Sequence, residues 1–187
     1  MKKIISILFL FLSVSVFAQS KLDSLVLVKV NEYRVSLGLN KVQFDTVCYK
    51  AAKCQSTYLA NIYIASGMKK YTMGHVQDVK GFETSVKRLN AFGKYKFLKI
   101  AEICNFEFIN FNVNDTLGYD KLANKILDLW KSSPIHNAAI IDPTYKFAAN
   151  YSYEIVKNPG YKEKIKDIWV KVNHYETFNT MVFIDRK

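Results

Sequence analysis

A run of apolar residues at helical spacing, closed by Trp-Lys-Ser-Ser-Pro, constrains this chain more than any other stretch. Tyr119, Leu122, Ile126, Leu129 and Trp130 fall on one stripe and predict a helix with a single buried face. Ser133-Pro134 stops or redirects that helix, because the residue before a proline is pushed out of the helical region. His136 then follows a rigid turn, which can aim a side chain. The chain has only three histidines, His75, His136 and His174, so any chemistry needing imidazole has few residues to use.

The amino terminus reads as an export signal. Lys2 and Lys3 precede an uncharged apolar run from Ile4 to Leu12, and Val16-Phe17-Ala18 is a small-x-small cleavage pattern before Gln19. Residues 1–18 are expected to be a signal peptide, too short for a comfortable membrane anchor. Residues 19–187 are expected to form one domain, secreted or periplasmic, with no transmembrane segment after cleavage.

The formal charge of +11 becomes +9 once the leader takes away two lysines and no acid. The lysines are scattered and form no dense run, so a solvated surface is expected and no nucleic-acid partner. Three cysteines, Cys48, Cys54 and Cys104, are an odd count for an oxidising compartment. Cys48 and Cys54 sit on different faces of one predicted helix and should not bridge each other. A bridge within the chain therefore needs Cys104, with Cys54 the expected partner, and three buried free thiols is an equally good reading.

Leu22, Val26, Val30, Tyr33 and Leu37 predict a first helix ended by Gly38, with Asn31 and Arg34 off its apolar stripe. Asp45 caps a second helix carrying Val47, Ala51, Cys54, Tyr58, Ile62 and Ala65. A loop from Met68 to Lys80 holds Gly74-His75, and Phe82 to Ala91 reads as a short third helix. Phe97 to Phe108 reads as a strand. Phe147 to Val156 and Ile168 to Phe178 flank Asn158-Pro159-Gly160 as a hairpin, with a last strand from Thr180 to Ile184. The order predicts an α+β domain. Asn114-Asp-Thr and Asn150-Tyr-Ser are glycosylation sequons.

The ordered set of motifs resembles the CAP superfamily of cysteine-rich secretory, antigen 5 and pathogenesis-related proteins, in its compact bacterial secreted branch. Asn31-x-x-Arg34 with Gly38-Leu39, the second helix from Asp45 with Ala51-Ala52, Gly74-His75, Glu102 and Trp130-x-x-Ser-Pro-x-His136 carry the resemblance. It implies a three-layer α-β-α sandwich around a small antiparallel sheet. It also implies a cleft lined by His75, Glu102 and His136. Two departures stand out. The family's Gly-Glu-Asn is Ala101-Glu102-Ile103 here, and Ser133 stands where many eukaryotic members carry a second glutamate.

Two imidazoles and a carboxylate suit zinc or another divalent cation with one position left open. They also suit acid–base chemistry, the carboxylate orienting one histidine. The favoured expectation is a binding cleft for a lipid, glycan or protein ligand, with a metal-assisted hydrolase or a lipid carrier as the alternatives. Ser132 and Ser133 lie near His136, yet no nucleophile-elbow pattern surrounds them, so a serine hydrolase is not expected. The default for His174 is a solvated or hydrogen-bonded strand residue.

Overall fold

The computed structural model describes residues 19–112, 118–165 and 168–187. The leader and the Asn114 sequon lie outside them. Helix α1 (Lys21–Ser36) starts where the Ser20 side chain accepts the backbone N–H of Asp23, and it ends at Gly38, whose φ of +75° suits only glycine well. Strand β1 (Gln43–Phe44) is a two-residue element that no pattern in the sequence announces. Helix α2 (Thr46–Ala65) is capped by Asp45, which accepts from both Val47 and Cys48. Helix α3 (Ser85–Phe92) begins at the Thr84 cap, later than the sequence predicts. A Cβ at Gly93, just after it, would sit 2.7 Å from a Val47 methyl, so the end of α3 closes directly onto the start of α2.

Strand β2 (Phe97–Asn112) is followed by α4 (Gly118–Ser132). Ser133-Pro134 does more than stop α4. Pro134 takes the first turn of a further helix, α5 (Pro134–Ile141), where its missing N–H has no intrahelical partner to lose. His136 is thus a helical residue and not a turn residue. Strands β3 (Phe147–Ile165) and β4 (Ile168–Arg186) form a long hairpin. The two terminal strands predicted on either side of Asn179 are one, because Asn179 continues the pairing with Ser152 and Asn105 without a break.

The strand order is β1-β3-β4-β2. The three long strands are antiparallel and β1 adds in parallel to β3, so the sheet is mixed and not purely antiparallel. Alternation along β4 divides the core. Met181 and Phe183 face α1, α4 and α5, packing with Leu22, Val26, Leu122, Ile126, Trp130 and Ile140. Phe178, Val182 and Ile184 face α2 and α3, packing with Val47, Ala51, Leu59 and Leu89. This is the expected sandwich, with Trp130 fully buried in its first half. Strand β2 lies at the sheet edge, which decides where the two layers can meet.

Arg34 corrects its expected place off the stripe. It is fully buried and donates to the backbone carbonyls of Asn40, Ile140 and Asp142, tying α1 to the end of α5. Asn31 brackets Val42 by donating to its carbonyl and accepting from its N–H. The Asn150 sequon is equally structural. Its side chain is buried and donates to Asp23 and Ser152, so the folded protein does not present it for modification. All three cysteines are free thiols, and the Cys54–Cys104 bridge is not formed.

Candidate functional site

Alternation along β2 puts Glu102, Cys104 and Phe106 on the side of α2, and Ile103 and Asn105 on the side of α4. In the middle of a sheet these two sets could not share a cavity. At an edge strand they can. A cavity of about 370 Å³ is lined by Cys104, Asn105 and Phe106 of β2, by Leu129, Ser132, Ser133 and His136 of α4 and α5, and by Tyr71 and Met73 of the 68–80 loop. Elements from both outer layers thus converge over β2.

Glu102 is the best-held polar group here. One terminal nitrogen of Arg88, Nη2, lies 2.7 Å from each Glu102 carboxylate oxygen, with the two side chains 0 % and 2 % exposed. Nη2 also reaches the His75 carbonyl at 3.1 Å, and Nη1 donates to the Phe82 carbonyl at 2.8 Å. Arg88 therefore staples α3, the histidine loop and β2 together. His75 Nδ1 lies 3.1 Å from Glu102 Oε1. An ionised carboxylate only accepts, so Nδ1 carries a proton in this contact. The same Nδ1 lies 3.8 Å from the Cys104 sulfur, which also contacts the Thr180 hydroxyl at 3.5 Å.

Of the three residues named from sequence, His75 and Glu102 are in direct contact. His136 lines the cavity from the other layer and is half-buried. Burial, and then the nearby His75, hold its imidazole below the ordinary histidine range. Among the described residues, the compact group of ligand-type side chains is His75, Glu102 and Cys104, whose donor atoms all lie within 4.8 Å of one another. That spacing is within reach of one cation, but the charge there disfavours a divalent ion. Glu102 is already neutralised by Arg88, whose own positive charge sits in the site. Burial, and then the Glu102 charge, push the Cys104 thiol up, which disfavours the thiolate that would bind metal.

The same facts limit nucleophilic chemistry. Cys104 meets the proton-bearing Nδ1 of His75, which cannot act as its base, and burial keeps it a thiol. Ser132 donates its hydroxyl to the Leu129 carbonyl at 2.7 Å, a bond that closes its own helix. His174 is held by Asn110 and Glu176 at the far end of β2, well away in sequence register from Glu102. A larger cavity of about 460 Å³ between α2 and the loop before α3 is lined by Cys54, Tyr58, Gln77, Phe82 and Phe92, and carries no imidazole or carboxylate.

Sequence reasoning missed Arg88 and the aromatic wall. A usable signal was composition within the basic residues, because only Arg34, Arg88 and Arg186 are arginines among 27 lysines and arginines. All three hold buried or partly buried acceptors: backbone carbonyls, Glu102 and Asp45. The planar, weakly hydrated guanidinium suits such places and lysine does not. Tyr71 stacks on Phe106 at 4.6 Å, and Phe106 packs on Phe178 and Tyr63, forming a continuous aromatic wall beside the cavity.

No curated protein matches the sequence. An outer surface protein from Borrelia burgdorferi shares the fold with a TM-score of 0.52 at 19 % identity, over 88 % of this chain and 92 % of that one. An extracellular protein containing an SCP domain, from Bacillus anthracis, shares it with a TM-score of 0.58 at 15 % identity, over 89 % of this chain and 41 % of that chain. The sequence profile of the cysteine-rich secretory protein family, CAP, matches residues 27–154. That match spans most of the chain, both outer layers and the site residues up to His136, and on it the chain belongs to the CAP family.

Proposed function

We propose that this protein is an extracellular or periplasmic ligand-binding CAP domain, made with a leader ending at Ala18 and folded as one unit from Gln19 to Lys187. Its ligand enters the cleft over β2, where His136 lines the cavity and the half-exposed His75, oriented by the sealed Glu102, supplies a second polar point. The observation that carries this reading is the sealing of Glu102 by Arg88. A carboxylate with both oxygens engaged is spent on orienting His75 and is poorly placed to bind a cation or move a proton. What remains is a preformed pocket with an aromatic wall and a few fixed hydrogen-bonding groups, as small-ligand and glycan sites have. The origin of the two structural relatives, an outer surface and an extracellular protein, supports the location.

The test is titration with an apolar fluorescent probe, 1-anilinonaphthalene-8-sulfonate, on the native protein and on Tyr71→Ala and His136→Ala. Tyr71 is exposed, so its removal should leave the fold intact while lowering probe affinity several-fold. Equal affinity in all three proteins refutes the cleft. A second reading, a divalent-metal site serving hydrolysis, draws support from the 4.8 Å grouping of His75, Glu102 and Cys104. Zinc calorimetry distinguishes the two readings.

A further inference from the structure

The β3–β4 hairpin outruns its neighbour. The last pair between β2 and β4 is Asn112 with Val172, whereas β3 and β4 stay paired out to Ile165 with Ile168. Beyond Val172 the described strands pair only with each other. On this ribbon Lys162 stands opposite Lys171, and Lys164 stands opposite Trp169. Cross-strand partners, and residues two apart on a strand, share a face. The three lysines and the tryptophan therefore make one patch. All four are exposed, Trp169 by 66 %. Glu163 is in register with Val170 and belongs to none of these pairs. Lys157, further down the ribbon, is committed to Tyr63 and Glu176 and is not part of the patch.

Two like charges directly opposed across a strand pair are unfavourable, and an indole left in water gains nothing from burial. Neither feature serves the core. A planar anionic surface removes both penalties, because it neutralises the opposed pair Lys162 and Lys171 and takes the indole at the depth of its headgroups. Among the described residues, the patch adjoins neither of the cavities described above. No described helix is long and apolar enough to cross a membrane, so contact through this face would be peripheral. We propose that the opposed pair Lys162 and Lys171, with Trp169 on the same face at headgroup level, docks the protein onto an anionic lipid surface.

Fluorescence isolates this face, because the only other tryptophan, Trp130, is fully buried. The exported protein is titrated with vesicles of phosphatidylcholine alone and of phosphatidylcholine mixed with phosphatidylglycerol. The mixed vesicles alone should shift Trp169 emission to the blue and protect it from acrylamide, and added salt should weaken binding. The Lys162→Glu, Lys171→Glu pair should lower vesicle affinity by roughly fivefold or more for each lysine replaced. Its thermal midpoint should stay near the native value, because it exchanges one opposed like-charge pair for another. Trp169→Ala should abolish the blue shift and weaken cosedimentation. Equal binding to neutral vesicles overturns the proposal. So does binding that survives the charge reversals, as a retained leader would produce. Binding of polygalacturonate or duplex DNA through this face, without vesicle binding, overturns it as well.

Discussion

Arg88 Nη2 lies 2.7 Å from both carboxylate oxygens of Glu102, and both side chains are sealed from water. Removing one partner of a buried pair leaves the other charge uncompensated. Arg88→Ala should therefore cost about 3–5 kcal/mol in urea denaturation. Replacing both, as Arg88→Met with Glu102→Leu, should cost less than Arg88→Ala alone. If the double variant is the less stable, the Arg88 bonds to the His75 and Phe82 carbonyls outweigh the ion pair.

The same contact disfavours zinc. With Glu102 neutralised and a guanidinium in the site, calorimetry near neutral pH should show no tight uptake by the native protein, and His75→Ala should behave alike. Tight binding that is lost in His75→Ala and His136→Ala would establish the metal reading instead.

Trp130 is the largest fully buried side chain and packs among α1, α4, α5 and the sheet. Trp130→Ala should destabilise by about 3–5 kcal/mol, the usual cost of a large aromatic deletion in a core. A loss under roughly 1 kcal/mol by chemical denaturation would contradict that packing.

Burial, and then His75, hold His136 below the ordinary histidine value of about 6.5. As pH falls through that value the unfolded chain takes up a proton at His136 while the native chain does not. Stability therefore declines with acid there, and the decline ends once the native imidazole also protonates. Urea midpoints measured across this window should fall less in His136→Gln than in the native protein.

The thiols differ in access. Cys54 is half-buried, whereas Cys48 and Cys104 are buried and burial pushes both of their thiols up. An aromatic disulfide reagent should label Cys54 first in the native protein and all three in denaturant. Peptide mapping without reduction should find no bridge. A Cys54–Cys104 bridge in that map would contradict the free thiols seen here.

Much of the fold is legible in local pattern. The stripes of α1 and α4 name the face they bury, apart from the exposed Leu37 and Leu129. Helix α2, by contrast, buries Gln55, Leu59, Ala60 and Tyr63 and leaves the predicted Cys54, Tyr58 and Ile62 half-buried and Ala65 exposed. Asp45 and Gly38 mark ends that the structure keeps. These signals survive because periodicity reports a property of one element, its exposure to water on one side. Strand β1 and helix α5 escaped for the same reason. Two residues carry no period, and α5 buries only Ile140. Asn31 and Arg34 were legible as a motif, but their work, holding Val42 and the carbonyls of Asn40 and Ile140, needed the partners in place.

The sequence by itself determined the outline of the layers: the inward faces of α1 and α4, the capped start of α2, and that His75, Glu102 and His136 are scarce polar groups worth watching. It could not determine which of them touch. A side chain's burial is set by its near neighbours in the chain, whereas its partners are set by the order of strands. Placing β2 at the sheet edge brought α5 and the 68–80 loop over the same strand. Seating α3 beside β2 carried Arg88 to Glu102, giving that carboxylate a resident positive charge. Only the tertiary structure decided those two placements, because each joins segments whose contact no repeat or spacing in the sequence encodes.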